Sequence, residues 1–405
     1  MPVYVFEGRR EQTGEPIRGV REAISHAALG QDLLSEGVLL TRYALKSQPP
    51  GGVSFLLTLF KHVPIIERAM FARYFALMLR AGLDTKRALV ALSEQTGSRS
   101  LKAALVSVYQ DVERGRTLAE SLQPFPYAFP ALFVSFVQVG ETTGRLQESL
   151  EVLAEQLEKE YQLNRAVRGG LLYPVVIVLV LIAVAVAMMF FVVPKLVEVF
   201  AGFNVELPLP TRILIGTSNF FQAWWPWLMV GSVAGAVGLV LLLRLAPVRA
   251  AVLHLSLLSP VIGPIMQKVN LARFARNLSS LLQSGVSFLG ALDVLGSNTP
   301  HPTYAKVLTE AREYVKQGKE LSAYLAQFKR LFPSVVVNVV KVGEETGSLD
   351  KVLKEIALFY EREVDQTMKN LTSVMEPVLM VLMGLAVGAL AVSVISPIYD
   401  LVNVI

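Results

Sequence analysis

A row of carboxylates is the first feature whose spacing could support chemistry. Glu148, Glu151 and Glu155 follow one another at i, i+3 and i+7, which places them on one face of a predicted helix. Such carboxylates repel one another unless Lys or Arg pairs with them or a hard cation such as Ca²⁺ bridges them. The spacing is equally typical of a solvated acidic face, and the sequence leaves both interpretations open.

A glycine–acid–threonine–glycine segment that occurs twice is more specific. Its positions are Gly140, Glu141, Thr143 and Gly144 in one copy and Gly343, Glu344, Thr346 and Gly347 in the other. The first glycine predicts close packing or the end of one helix, and the threonine is a candidate cap for the next helix. The acid is then expected near a helix N-terminus, which favours negative charge. A structural role therefore accounts for the segment.

The motifs that mark common enzyme classes are absent from the sequence. It has no cysteine, no phosphate loop of the Gly-x4-Gly-Lys-Ser/Thr type and no Gly-x-Ser-x-Gly elbow. The four histidines are far apart, so they are expected to be surface or packing residues: His26, His62, His254 and His301. We therefore predict a protein that is not an enzyme and that requires no cofactor.

The composition points to lipid. Of the 405 residues, 53% are hydrophobic and only 18% are charged, against about 25% in a typical soluble domain. The net charge of +5 indicates basic residues retained at the cytoplasmic face of a membrane protein, and not a nucleic-acid-binding surface.

Three uncharged runs predict transmembrane helices at residues 171–193, 220–243 and 377–398. The first run, Leu171–Val193, would extend for roughly 35 Å as a helix, enough for a hydrocarbon core of ~30 Å. None of the three contains an ionisable residue. That absence argues against an ion-coupled transporter or an intramembrane aspartyl protease.

The basic residues predict the orientation. Only Lys195 and Arg212, of 38 Lys and Arg residues, lie between the first two predicted spans, and none follows the third. The positive-inside rule then places both large segments and the N-terminus in the cytoplasm. The loop 194–219 and the tail 399–405 are expected on the opposite side of the membrane, outside the cytoplasm, in a multi-pass protein.

The sequence contains an internal duplication with an offset of 203 residues. Phe71-Ala72-Arg73 recurs as Phe274-Ala275-Arg276, and Phe129-Pro130 recurs as Phe332-Pro333. The copies predict two homologous cytoplasmic helical repeats, 67–169 and 244–376, with about six helices each. The last helix of each is expected to run on into the membrane, with a bend or a restart at the proline that enters the span, Pro174 or Pro377.

The first 45 residues have a different character. Val3–Phe6 and Val38–Leu45 predict strands, Gln12–Pro16 a turn and Arg21–Glu36 a helix, which together indicate a small α+β domain at 1–45. Residues 46–66 are interpreted as a linker. The predicted fold is thus mainly α: a polytopic membrane protein with two six-helix cytoplasmic bundles, three transmembrane helices and a small N-terminal α+β domain.

The duplicated Val-Gly-Glu-x-Thr-Gly-x-Leu segments, the Phe-Pro before each of them and Glu206-Leu207-Pro208-Leu209-Pro210-Thr211 resemble a known family. It is the family of inner-membrane platform proteins, which comprises the F protein of type II secretion and the C protein of type IV pilus assembly. The resemblance implies a non-enzymatic platform. Its expected partners are an assembly ATPase, pilins or pseudopilins, other inner-membrane platform subunits and further copies of itself, with no nucleic acid.

The resemblance also implies a Ca²⁺ site in the first repeat. The family's acidic ligands fall on Glu151 and Glu155, whereas its third ligand falls on Gly97, which has no side chain. Glu94 is the nearest acidic substitute in the sequence.

Two other functions stay open at this point. One is a membrane transporter or channel subunit, which needs polar lining in the spans, and the other is a membrane-anchored sensor or adaptor. Co-purification separates them, because a platform retains an ATPase and pilin-like partners whereas a transporter supports solute flux.

Overall fold

The chain divides into two compact units, Met1–His62 and Val63–Ile405. The computed structural model describes residues 3–10, 16–22, 33–34, 37–45, 63–195, 197, 209–260 and 262–404.

The first unit contains a three-stranded antiparallel sheet in the order β2-β1-β3. Its strands are β1 (Val3–Arg10), β2 (Pro16–Glu22) and β3 (Val38–Leu45). The two predicted strands are confirmed, and β1 extends four residues beyond the predicted Val3–Phe6.

The predicted helix over Arg21–Glu36 is wrong at its start. Arg21 and Glu22 belong to β2 and lie opposite Tyr4 and Val3 of β1. Pairing with β1 therefore overrides the local helical periodicity. Pro16, predicted in a turn, opens β2, where a missing N–H is tolerated. Residues 11–15 and 23–32, which hold most of the predicted turn and helix, lie outside the described residues, so the helical half of the α+β domain stays a prediction.

The second unit begins with six helices that correspond to the first repeat. They are α1 (Ile65–Arg80), α2 (Thr85–Gln95), α3 (Arg99–Glu113), α4 (Leu118–Leu122), α5 (Ala131–Thr142) and α6 (Leu146–Ala187). The helix α1 starts two residues inside the stretch interpreted as a linker. A π-helical turn, Met188–Val192, continues α6.

Two helices then lead to the second repeat, α7 (Leu209–Arg244) and α8 (Ala246–Leu258). The second repeat has α9 (Ile262–Gln283), α10 (Phe288–Asn298), α11 (Pro302–Lys316), α12 (Leu321–Leu325), α13 (Ser334–Thr346) and α14 (Leu349–Val404). Within the described residues, the first copy has the predicted six helices, whereas the predicted second copy, 244–376, has a seventh helix, α8, ahead of the six that correspond to the first copy. Residues 209–219, placed by the sequence in a loop, belong to α7, and residues 399–404 belong to α14.

Glycine and cap residues set the ends of the short helices. Gly82 and Gly285 follow α1 and α9 with φ of +85° and +86°, a left-handed conformation that glycine adopts without strain. The Ser98 Oγ accepts a hydrogen bond from Leu101 N, and Thr117 Oγ1 accepts one from Glu120 N. A left-handed glycine after a helix and a Ser or Thr hydroxyl before one therefore mark these boundaries.

Aromatic rings fill equivalent places in the two repeat cores. Phe71, Phe129 and Phe133 pack with ring centroids 5.1–6.0 Å apart in the first repeat. In the second, Phe274 and Phe332 lie 5.3 Å apart. The first and last helices of each repeat pack against each other, and the buried residues of the two repeats belong to one hydrophobic core.

Both long helices run through their prolines without a break. Pro174 lies inside α6 and Pro377 lies within α14, so neither predicted restart occurs. Among the described residues, one helix on its own is long and apolar enough to cross a membrane, Leu146–Lys195, and its most apolar window has no buried residue.

Candidate functional site

The acid of the first repeated segment binds the start of a helix that is distant in sequence. The Glu141 carboxylate, at the end of α5, accepts hydrogen bonds from the backbone N–H groups of Leu118 (2.7 Å) and Ala119 (3.0 Å). These residues open α4, whose first N–H groups have no partner inside the helix. A negative charge is also favoured at this end of a helix.

The second copy repeats the arrangement. The Glu344 carboxylate, near the end of α13, accepts from Leu321 N (2.5 Å) and Ser322 N (3.0 Å) at the start of α12. The residue at the cap position, Glu320, makes no capping hydrogen bond with its own side chain. Each acid lies near a helix N-terminus, as expected. The helix is the short one that precedes the acid in sequence, α4 or α12, and not the one that follows it.

The first glycine of each segment lies where two helices nearly touch. A Cβ atom added at Gly140 would come within 2.8 Å of Ser149 Cβ and 2.9 Å of Leu146 Cα. At Gly343 it would come within 3.1 Å of Leu349 Cα and overlap Val352 Cγ2. Real Cβ atoms do not approach other atoms so closely, so only glycine fits between the two helices without displacement. The sequence had left close packing and helix termination open, and the geometry selects close packing.

The predicted role of the threonines is wrong. The hydroxyl groups of Thr143 and Thr346 donate to the carbonyl oxygens of Val139 and Val342, each at 2.7 Å, and so bond back to the preceding helix. The cap residue of α6 is Arg145, without a capping side-chain bond. Backbone geometry explains this, because the left-handed glycine that follows each threonine, Gly144 or Gly347, turns the chain with φ of +69° or +66° and leaves the threonine on the preceding helix.

Two bidentate ion pairs, which the sequence analysis did not identify, join the first and last helices of the repeats. Arg73 Nε and Nη2 donate to Glu158 at 3.0 and 2.8 Å, and Arg276 makes the same pair with Glu361 at 2.8 and 2.8 Å. The second pair is the more buried, with side chains 8% and 19% exposed. The sequence did contain a signal for these ion pairs: the two glutamates, Glu158 and Glu361, are separated by the same 203 residues as the two arginines.

Arginine side chains pair with two of the three carboxylates on the acidic face of α6. Glu151 pairs with Arg80 of α1 and accepts a hydrogen bond from Gln147 Nε2 at 3.1 Å. Glu148 lies 4.0 Å from Arg145. Pairing with arginine was one of the two ways in which the sequence allowed these carboxylates to coexist.

The residues predicted to bind calcium have other neighbours in this structure. Calcium takes six to eight oxygen ligands, yet a guanidinium already occupies Glu151. Gly97 lines a different cavity of about 340 Å³, whose lining includes neither Glu151 nor Glu155. Within the described part of the chain, no three His, Asp or Glu side chains are placed to hold a metal. Calcium binding at Glu151 and Glu155 stays a prediction.

His301 is a packing and capping residue. Its Nε2 donates to the carbonyl of Leu253 (3.0 Å) and its Nδ1 accepts from Thr303 N at the start of α11. Burial lowers the pKa of this imidazole below its ordinary value, which keeps the ring neutral. A neutral ring suits both hydrogen bonds and agrees with the expected structural role.

The repeated architecture matches a known family. The family described as type II secretion system (T2SS), protein F, matches twice, over residues 71–194 and 274–397. The chain belongs to the T2SS protein F family. The two matches begin 203 residues apart, as do the repeated segments, so the duplication found in the sequence is the family's own unit.

Relatives of this family member carry two kinds of name. The type IV pilus assembly protein PilC of Myxococcus xanthus is 33% identical over 402 residues, which is 99% of this chain and 95% of the relative. PilC of Thermus thermophilus is 32% identical over all of this chain and 99% of the relative. The type II secretion system protein F of Pseudomonas aeruginosa is 29% identical over 96% of each chain.

Proposed function

We propose that this chain is a non-enzymatic platform protein of the bacterial inner membrane. It couples a cytoplasmic assembly ATPase to the insertion of pilins or pseudopilins into a filament. Family membership and the names of its relatives support a place in such a machine. The proposal includes three spans at residues 171–193, 220–243 and 377–398, a cytoplasmic N-terminus and a small N-terminal α+β domain.

One observation carries the proposal: α6 joins a buried core to an exposed apolar surface without interruption. Leu150 and Leu153 are fully buried in the first repeat, whereas Leu179 on the same helix is 59% exposed. An exposed apolar helix is stable when lipid or another apolar helix covers it. A displacement of the repeat would therefore be carried along the helix axis into the membrane.

Side-chain hydrogen bonds also connect the two repeats. Gln156 of α6 bonds Asn277 of α9 and accepts from Ser280 Oγ at 3.0 Å. Arg273 Nη2 donates to Asn164 Oδ1 at 2.5 Å. Because these bonds join the last helix of one repeat to the first helix of the other, a force applied to either repeat would reach both long helices.

Self-association is part of the proposal. In the first repeat, the positions that correspond to Arg273, Asn277 and Ser280 carry apolar side chains that are 44–46% exposed: Met70, Tyr74 and Leu77. An exposed apolar stripe at helical spacing favours burial against another subunit. We assign it to a second copy of the chain or to another inner-membrane platform subunit.

Co-purification from membranes tests the proposal. The tagged full chain is expected to retain an assembly ATPase and pilin-like proteins, and reconstituted protein is expected to move no solute. The alternative, a transporter or channel subunit, predicts the reverse: solute flux into vesicles from the purified chain alone, without these partners.

A further inference from the structure

A polar cleft lies between α6 and α14. One part of it has a volume of about 670 Å³ and is lined by Lys159 and Arg362 among others. A second part of about 470 Å³ is lined by Arg165 and Lys369 among others. Both parts share Asp365 in their lining, so they form one continuous cleft, which we call the interhelix cleft.

The interhelix cleft has an excess of positive charge. Its two acids are already paired, Glu361 with Arg276 at 2.8 Å and Asp365 with Lys369 at 2.6 Å. Three cations of the lining make no ion pair with any described residue: Lys159, Arg165 and Arg362. Unpaired cations that face one cleft repel one another, and an anion between them relieves that repulsion.

The cleft lies where both helices become apolar. The last charged residue of α6 is Arg168, and α14 has no charged residue between Glu376 and Asp400. Just beyond the cleft, the apolar side chains of Leu172 and Val374 are each 64% exposed. A ligand that fits this place combines an anionic group with apolar chains.

We propose that the interhelix cleft binds the phosphate headgroup of an anionic phospholipid, with its acyl chains along the exposed apolar faces of α6 and α14. This inference rests on the proposed membrane placement. Guanidinium groups form charge-assisted hydrogen bonds with phosphate oxygens, and basic pockets between membrane helices on the cytoplasmic side suit lipid headgroups. The lipid would bridge the long helices of the two repeats.

The test is the thermal unfolding of the full chain in neutral detergent, followed by circular dichroism. Short-chain phosphatidylglycerol is expected to raise the Tm by roughly 5 °C at saturation. Short-chain phosphatidylcholine and free glycerol phosphate should leave it nearly unchanged. The first comparison isolates headgroup charge, and the second distinguishes a lipid from a soluble phosphate ester.

Matched variants locate the site. The double variant Arg165→Gln/Arg362→Gln should lose most of the rise in Tm that phosphatidylglycerol causes. The single variant Lys159→Gln should lose only part of it. Arg168→Gln should keep it, because Arg168 lies about one turn beyond Arg165 on the same helix but does not line the cleft. An equal shift with phosphatidylcholine or glycerol phosphate, or an unchanged shift in the cleft variants, overturns the proposal. Neither ATPase nor pilin is needed, so failure here is distinct from failure of the proposed function.

Discussion

The variant Glu344→Ala is expected to unfold with a free energy about 3 kcal/mol lower than that of the parent chain. The change removes a carboxylate that accepts two backbone N–H groups, those of Leu321 and Ser322. Each half-buried donor left without a partner costs roughly 1–3 kcal/mol. Glu344→Gln should lose about half as much, because its single amide oxygen can still accept one bond. Urea unfolding in detergent, followed by circular dichroism, measures the difference.

The neighbouring acid supplies the control. Glu345 is exposed and lies 3.8 Å from Lys341, four residues before it on the same helix. Such a surface pair contributes at most about 1 kcal/mol, so Glu345→Gln should change the stability little. Equal losses in the Glu344 and Glu345 variants would show that the charge of the segment, and not its bonds to α12, determines stability.

The second large effect is expected from Gly343→Ala. The new methyl group would overlap Val352 Cγ2 and lie 3.1 Å from the Leu349 backbone, so the Val352 side chain must rotate and α13 must move slightly away from α14. Overpacking of this kind costs about 1–3 kcal/mol and occasionally more. Gly140→Ala meets Ser149 and Leu146 in the same way. Thermal unfolding of both variants measures the cost.

Gly97→Ala is the matched control for these substitutions. No atom lies within 4 Å of the position that its Cβ would take, and its backbone is not left-handed. It should therefore be neutral or stabilising by up to about 1 kcal/mol, because alanine restricts the unfolded chain. If Gly97→Ala proved as harmful as Gly343→Ala, the close approach at Gly343 would not be the cause.

The sequence predicts the helical architecture well because local signals determine it. Gly82, Ser98 and Thr117 set helix ends through contacts with residues close to them in sequence, so their residue types are enough to predict these roles. The offset of 203 residues transfers each assignment from one copy to the other. These signals predict the six helices of the first repeat and the extension of its last helix into the apolar stretch, although not its continuity through Pro174.

The contacts between distant segments were harder to predict. Glu141 lies 23 residues after the helix that it caps, and Arg73 pairs with a glutamate 85 residues away. No periodicity within one helix specifies such partners. The strand at Arg21 was missed for the same reason, since β2 depends on its pairing with β1. The roles of Thr143 and Thr346 were misassigned because the left-handed glycine after each of them is a conformation that residue type alone does not specify.

In the proposed function, α6 transmits movement of the first repeat into the membrane, and a break in this helix should abolish that transmission. Arg165-Ala166 is replaced by Gly-Pro, which removes a helix hydrogen bond and disrupts the helix between core and lipid. Replacement by Ala-Ala is the control, because it removes the same charge but keeps the helix. The measurement is filament assembly in cells, in variants that still insert in the membrane and still retain the ATPase. We expect assembly to be lost with Gly-Pro and retained with Ala-Ala. Normal assembly with Gly-Pro would contradict transmission through a rigid helix.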